Sequence, residues 1–302
     1  MNDNMDLFGA IDAGGTTFKC AVVNACGDIL ERQRIPTTTP AETIQACATF
    51  FSGFSQAQAK GLSSVGIAAF GPLDIDPKSA DHGTILKTTK PGWSMTPVKQ
   101  AFSKALGLPV YIDTDVNGAL RAELFSGAAK GCRSAAYMTV GTGIGAGIFV
   151  NRGFSGAPSH PEFGHVCVKR HPADQSFEGL CKFHGDCLEG LASAAAFEAR
   201  YGDPKQLPAD HIGWQIEAFY LAQACINLHL SMRLERIILG GGLMQAEHLI
   251  SLVRSQFLTL NGDYLSIDDA AATRLITLPG HGHDAGLMGA ARLAMLGADL
   301  EW

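Results

Sequence analysis

Residues 8–24 and 135–151 can be laid over each other without a gap. Each segment is an apolar run, a glycine-rich turn and a second apolar run that ends in Val-Asn. Gly14 meets Gly141, Val23 meets Val150 and Asn24 meets Asn151. Apolar, β-branched runs on both sides of a tight turn read as a β-hairpin. A hairpin that recurs in the second half of a 302-residue chain points to a duplicated domain, each copy opening on the same element. The expected division is residues 1–118 and 119–302.

The remaining pattern is α/β. Residues 28–35 continue the first sheet, and Thr39-Pro40 opens a helix to about residue 60, with threonine as N-cap and proline at the first helical position. Residues 64–70 read as a buried strand running into Gly71-Pro72. Residues 97–106 form a helix, 109–113 a strand, and 117–130 a helix stopped by Gly131. A long helix over 212–233, a strand over 235–239 into Gly240-Gly241-Gly242, a further helix, a strand over 274–278 and a last helix from about Asp284 complete the second half. No linker interrupts the chain, so two closely packed domains with a cleft between them are expected, the last helix returning to the first domain.

Composition excludes several classes. With 46% hydrophobic and 17% charged residues the chain is an ordinary globular protein. The low-charge stretch 134–151 is broken by glycines and cannot span a membrane. The amino terminus carries acids where an export signal has basic residues, so a cytoplasmic protein is expected. A net charge of −6 offers no basic face to a nucleic acid. Affinity for an anion must come from local backbone donors and a metal ion. Eight cysteines without an export signal argue against a disulfide scaffold.

The glycine turns supply such donors. Phosphates need several N–H groups at close range, and glycine lets backbone approach without a Cβ in the way. Asp12, Gly14, Gly15, Thr16 and Thr17 give one cradle, with a carboxylate able to hold hydrated Mg²⁺ and Lys19 on the outgoing strand. Thr139, Gly141, Thr142 and Gly143 give a second. The run Gly141-Thr142-Gly143-Ile144-Gly145-Ala146 also fits a dinucleotide-binding fingerprint, with Glu162 downstream. That motif requires a helix after the glycines, and here a strand follows. The glycine-lysine phosphate loop of P-loop enzymes is absent.

Asp113 and Asp115 stand between a strand and a helix, where a carboxylate is presented rigidly; either is equally able to cap the helix. Further on, Cys181, His184 and Cys187 form C-x-x-H-x-x-C. With His165 they offer two thiolates and two imidazoles, a set suited to tetrahedral Zn²⁺ with no open position. Cys167 and His171 compete as ligands on spacing alone.

These residues resemble the ROK group of bacterial sugar kinases and repressors, in the actin-like ATPase superfamily, over almost the whole chain. The resemblance implies two actin-like (ribonuclease H-like) α/β domains that bind ATP with Mg²⁺. Residues 8–24 look like the first phosphate motif, 139–145 like the second, and Gly240, Gly241 and Gly242 like the adenosine turn. Asp12 would sit near the metal-bound phosphates. Asp115 aligns with the catalytic base, and Thr114 stands where the family has a sugar-contacting asparagine. Gly71, Glu162 and His165 of an E-x-G-H element, and Glu189, would complete a site for a neutral sugar.

The run 170–193 is similar to the fructokinase branch, in which a histidine replaces one cysteine of the zinc site. Zinc in the loop 165–190 would then orient His165 for the sugar. The resemblance thus implies transfer of the γ-phosphoryl group of MgATP to the 6-hydroxyl of D-fructose. Mannose or glucose kinases of the same family, and a sugar-responsive regulator, are the alternatives. Repressors of the family carry an extra amino-terminal helix-turn-helix, for which a strand beginning by residue 7 leaves no room. A homodimer is also expected.

Overall fold

The computed structural model describes residues 6–156 and 159–297; the first five residues, part of the stretch read for an export signal, and the chain end beyond 297 lie outside them. The described residues form two compact units. The first comprises residues up to 123, the segment 155–160 and the chain from 284; the second comprises 124–154 and 161–283.

In the first unit, β1 (Leu7–Ala13), β2 (Thr17–Asn24), β3 (Ile29–Pro36), β4 (Ser64–Ala69) and β5 (Val110–Thr114) form one sheet in the order β3-β2-β1-β4-β5. The strands β1, β4 and β5 run parallel, while β1-β2 and β2-β3 are antiparallel. Helices α1 (Pro40–Gln58) and α2 (Val98–Leu106) cover one face, where Phe51, Phe54 and Phe102 meet Ile11, Phe18 and Ile67. Thr39 starts α1 with a full capping box: its hydroxyl accepts from Glu42 N–H, and the Glu42 carboxylate accepts from Thr39 N–H. Helix α3 (Asp115–Ser126) follows β5 directly.

In the second unit, β6 (Ala135–Val140), β7 (Ile144–Val150), β8 (Gly153–Phe154), β9 (Arg236–Gly240) and β10 (Ile276–Thr277) form a sheet in the order β10-β9-β6-β7-β8. Reversed, this is the order of the first sheet, strand for strand. The sequence overlay therefore marks a true structural repeat, with one adjustment. Ala13 pairs with Phe18 across the first turn, but Val140 pairs with Ile144 across the second. The second turn is one residue shorter, so Val23 corresponds to Phe149 rather than Val150.

Helices α4 (Leu188–Ala192), α5 (Ala194–Tyr201), α6 (Ile212–Met232), α7 (Leu249–Asn261) and α8 (Asp269–Leu275) build the rest of the second unit. Arg274 and Leu275 close α8 instead of opening a strand, because Asp268 caps a helix there through Ala271 N–H at 2.7 Å. Most of α6 is buried, as its nearly all-round apolar sequence requires. No helix among the described residues is long and apolar enough to cross a membrane.

Helix α9 (Ala285–Leu296) belongs to the first unit and covers the second face of its sheet, with Leu287, Ala290 and Ala291 against Ala10 and Ala68. Glycine permits this contact: a Cβ on Gly66 would lie 1.9 Å from the Ala290 carbonyl oxygen.

Candidate functional site

The sheet register gathers the first set of residues. Ala13 pairs with Ala69, and Ala69 with Thr114, so three parallel strands end in one row. The turn at residues 14–17, the Gly71-Pro72 turn and the start of α3 therefore leave the sheet at the same edge. Open parallel sheets bind ligands at this carboxyl edge.

At that edge Asp12 accepts from Lys19 Nζ at 2.8 Å. Gly14 N–H points back to the Asp12 and Thr17 carbonyls at 3.2 Å, and Thr37 Oγ1 donates to Gly14 O at 2.8 Å. A Cβ on Gly14 would lie 2.8 Å from Thr17 O, whereas Gly15 faces open space and Thr16 is exposed. Gly71 lies under the His160 imidazole, whose Nε2 accepts from Leu73 N–H at 3.2 Å. His160 sits in the first unit with that turn, a contact hidden in the sequence because 87 residues separate it from Leu73.

Sequence alone left two carboxylates at the β5–α3 junction, and their partners differ. Asp113 is buried and holds Thr114 N–H and Asn117 Nδ2 at 2.8 Å and Arg121 Nη2 at 3.1 Å. Asp115 is half-buried in the first turn of α3 and accepts from Val116 N–H at 2.9 Å. Asp113 is thus engaged by a buried cation, while Asp115 is presented at the edge. Thr114 is 2% exposed, and its hydroxyl accepts from Asn117 N–H as the helix cap.

The second sheet repeats the arrangement. Thr139 pairs with Gly240, so the turn at 141–143 and the glycines at 240–242 share one edge. Gly241 has φ +94°, and a Cβ there would lie 2.4 Å from Val140 O, a conformation and a contact that only glycine accepts. Gly240 lies under the Tyr137 hydroxyl, 2.1 Å from where its Cβ would stand. Thr142 and Gly242 are exposed at the turn tips.

Beside this edge stand His165, Cys181, His184 and Cys187, whose ligand atoms all lie within 4.8 Å of one another. His165 Nδ1 is 3.6 Å from both Cys181 Sγ and Cys187 Sγ, and His184 Nδ1 is 3.7 Å from Cys181 Sγ. Tetrahedral zinc with Zn–S near 2.3 Å and Zn–N near 2.0–2.1 Å sets N and S ligand atoms about 3.5 Å apart. Three N–S pairs of the cluster have that spacing. Cys167 and His171 stay outside it; His171 Nδ1 accepts from Ala173 N–H at 3.1 Å and its ring packs on Phe219. Burial, first among its causes, pushes the Cys187 thiol up to about 11. Glu162 is exposed, just before this group.

Glu189, read from the sequence for the sugar, also reaches a glycine turn. Its Oε2 accepts from Ile144 N–H at 2.9 Å and stands against Gly143, where a Cβ would be 2.5 Å away. It touches the second glycine turn directly.

A polar group that sequence reasoning missed backs this region. Arg200 Nη1 bonds Asp174 Oδ2 at 2.6 Å, Tyr220 donates to the same oxygen at 2.8 Å, and Arg170 reaches Asp174 O and Asp186 Oδ2. It ties the segment carrying the metal-type residues to α5 and α6.

Comparison with known proteins places this geometry. The model of the ROK family matches residues 8–296. A fructokinase of Zymomonas mobilis is 42% identical over 298 residues, covering 98% of both chains. A fructokinase of Streptococcus mutans is 42% identical over 266 residues, covering 87% of this chain and 89% of its own. The crystal structure of a ROK family glucokinase from Streptomyces griseus, in complex with glucose and AMPPNP, superposes with a TM-score of 0.75 at 25% identity, covering 97% of this chain and all of that one.

Proposed function

The chain belongs to the ROK family, and from that membership we propose that it is an ATP-dependent fructokinase, converting ATP and D-fructose to ADP and D-fructose 6-phosphate. The observation that carries the reading is the relation to fructokinases at 42% identity over nearly the full length of both chains.

The roles follow from the chemistry at the two sheet edges. Gly14 and Gly141 N–H close their own turns, so Gly15, which faces open space, and the exposed Thr142 would offer backbone N–H groups to phosphate, and residues 240–242 would take the adenosine. Asp12 would hold hydrated Mg²⁺ with the phosphates; the ion neutralises charge on them. Asp115 accepts the proton of the attacking hydroxyl. A half-buried carboxylate in the first turn of a helix is rigid and oriented, which is what a general base requires. Asp113 cannot substitute, since Arg121 and Asn117 hold both of its oxygens.

Glu162, His165 and Glu189 would serve the sugar, and Gly71 likewise, whereas Thr114 is buried and its hydroxyl caps α3. Four ligands within 4.8 Å of one another could close a zinc site, so the ion would shape the loop, leave no position for substrate and keep the His165 imidazole oriented. A homodimer and a cytoplasmic setting belong to the same proposal.

Product analysis tests it: phosphorylation of fructose at the 6-hydroxyl, dependent on MgATP, supports the reading, and a different phosphorylated sugar as the preferred product overturns the fructose assignment.

A further inference from the structure

We infer that Glu189 and Gly164, which flank the Cys/His quartet, position the second glycine turn, so that the metal loop sets nucleotide affinity as well as sugar affinity. This rests on the reading that residues 141–143 hold the phosphates of ATP. The turn is closed by Gly141 N–H to Gly143 O at 3.0 Å. Three outside contacts hold it in place. Glu189 Oε2 accepts from Ile144 N–H at 2.9 Å, a charge-assisted bond to the residue where the turn ends. Gly164 lies against the next peptide, on the other side of Ile144; a Cβ there would be 1.9 Å from Ile144 O. Ala194 N–H donates to Gly141 O at 2.8 Å.

All of these contacts come from the metal-type loop or its continuation. Gly164 immediately precedes His165, and Glu189 stands two residues after Cys187, with Leu188 between them. Leu188 N–H donates to Val166 O at 3.0 Å, so the two gripping segments run side by side. His165 Nδ1 and Cys187 Sγ, 3.6 Å apart, are the points at which a shared ion would cross-link them. Metal at the quartet fixes the separation of Gly164 and Glu189, and that separation fixes Ile144. The observed contacts connect the metal-type loop to the second glycine turn.

The test measures MgADP affinity by calorimetry, without sugar or turnover, together with amide hydrogen exchange at residues 141–145. Glu189→Ala removes the acceptor; Glu189→Gln keeps one, because its amide oxygen can take the Ile144 N–H. Glu189→Ala is expected to weaken MgADP about tenfold and speed exchange at Ile144, the effect of one such hydrogen bond, with Glu189→Gln close to wild type. Zinc removal from the wild-type protein by a strong chelator should act like Glu189→Ala. Unchanged affinity and exchange in Glu189→Ala, or in the chelated wild type, overturn the inference. Wild-type protein that binds MgADP without protecting residues 141–145 overturns the phosphate reading and the inference together, which separates the two failures.

Discussion

Gly286 lies directly against the Asp12 carboxylate: a Cβ there would be 2.9 Å from Asp12 Cγ. Helix α9 can approach β1 this closely only because its first turn carries no side chain at that point. Further along, a Cβ on Gly289 would lie 1.8 Å from Gly118 O, so the helix is locked to α3 as well. Asp12 is thus confined between α9 and Lys19.

Gly286→Ala should therefore displace Asp12 with little loss of stability, since the end of a short side chain can move where backbone cannot. The expected result is a fall of about tenfold or more in kcat/KM for MgATP and a higher Mg²⁺ requirement, with a near-native Tm. A Mg²⁺ titration checks it; an unchanged titration would remove Asp12 from the metal's surroundings.

The two acids at the β5–α3 junction should separate cleanly. Asp115→Asn keeps the fold and is expected to lower kcat at least about a hundredfold, with fructose KM little changed. Asp113→Asn instead removes the negative charge beside Arg121, whose side chain is 4% exposed, and should cost roughly 3 kcal/mol of stability. Steady-state kinetics and denaturant unfolding on both variants make the comparison.

Local signals made much of this structure legible in the sequence. Thr39-Pro40-Ala41-Glu42 announces a capped helix and forms one. The repeated hairpins announced two like sheets, because apolar periodicity and glycine turns are encoded within a few residues. The one-residue difference between the turns was hidden, since either spacing keeps Gly14 over Gly141. Contacts between distant segments were also hidden. Nothing near Glu189 in sequence shows that it reaches Ile144, 45 residues away. The small residues of α9, Ala285-Gly286 and Gly289-Ala290, were a usable sign of close packing that the sequence reading passed over.

Buried acids make a pH prediction. Arg200 faces both Asp174 at 2.6 Å and Glu217 at 3.9 Å, a distance too long for a hydrogen bond. Burial pushes the Glu217 carboxyl well above its ordinary range. The folded protein then keeps a proton that the unfolded chain releases as pH rises above about 4.5, so this group lowers stability with rising pH. Glu217→Gln should match wild type near pH 4 and exceed it at pH 8. Thermal melts across that range decide it: a variant less stable than wild type at pH 8 would mean that Glu217 is ionised against Arg200.

Metal content gives a further prediction. Protein purified without added metal should carry about one zinc per chain by elemental analysis. Cys181→Ser and Cys187→Ser should each lower that content and the Tm, whereas Cys167→Ser should do neither. Full activity in zinc-free protein would refute a structural ion in this loop.

The central claim is that this chain transfers the γ-phosphoryl group of ATP to fructose with Asp115 as base. Its most direct test is sugar-dependent ADP release over a panel of hexoses, run side by side on wild type and Asp115→Asn. The expected result is the highest kcat/KM for fructose, dependence on Mg²⁺, and loss of turnover in the variant. No release above background with any hexose, or equal release by the variant, would contradict it.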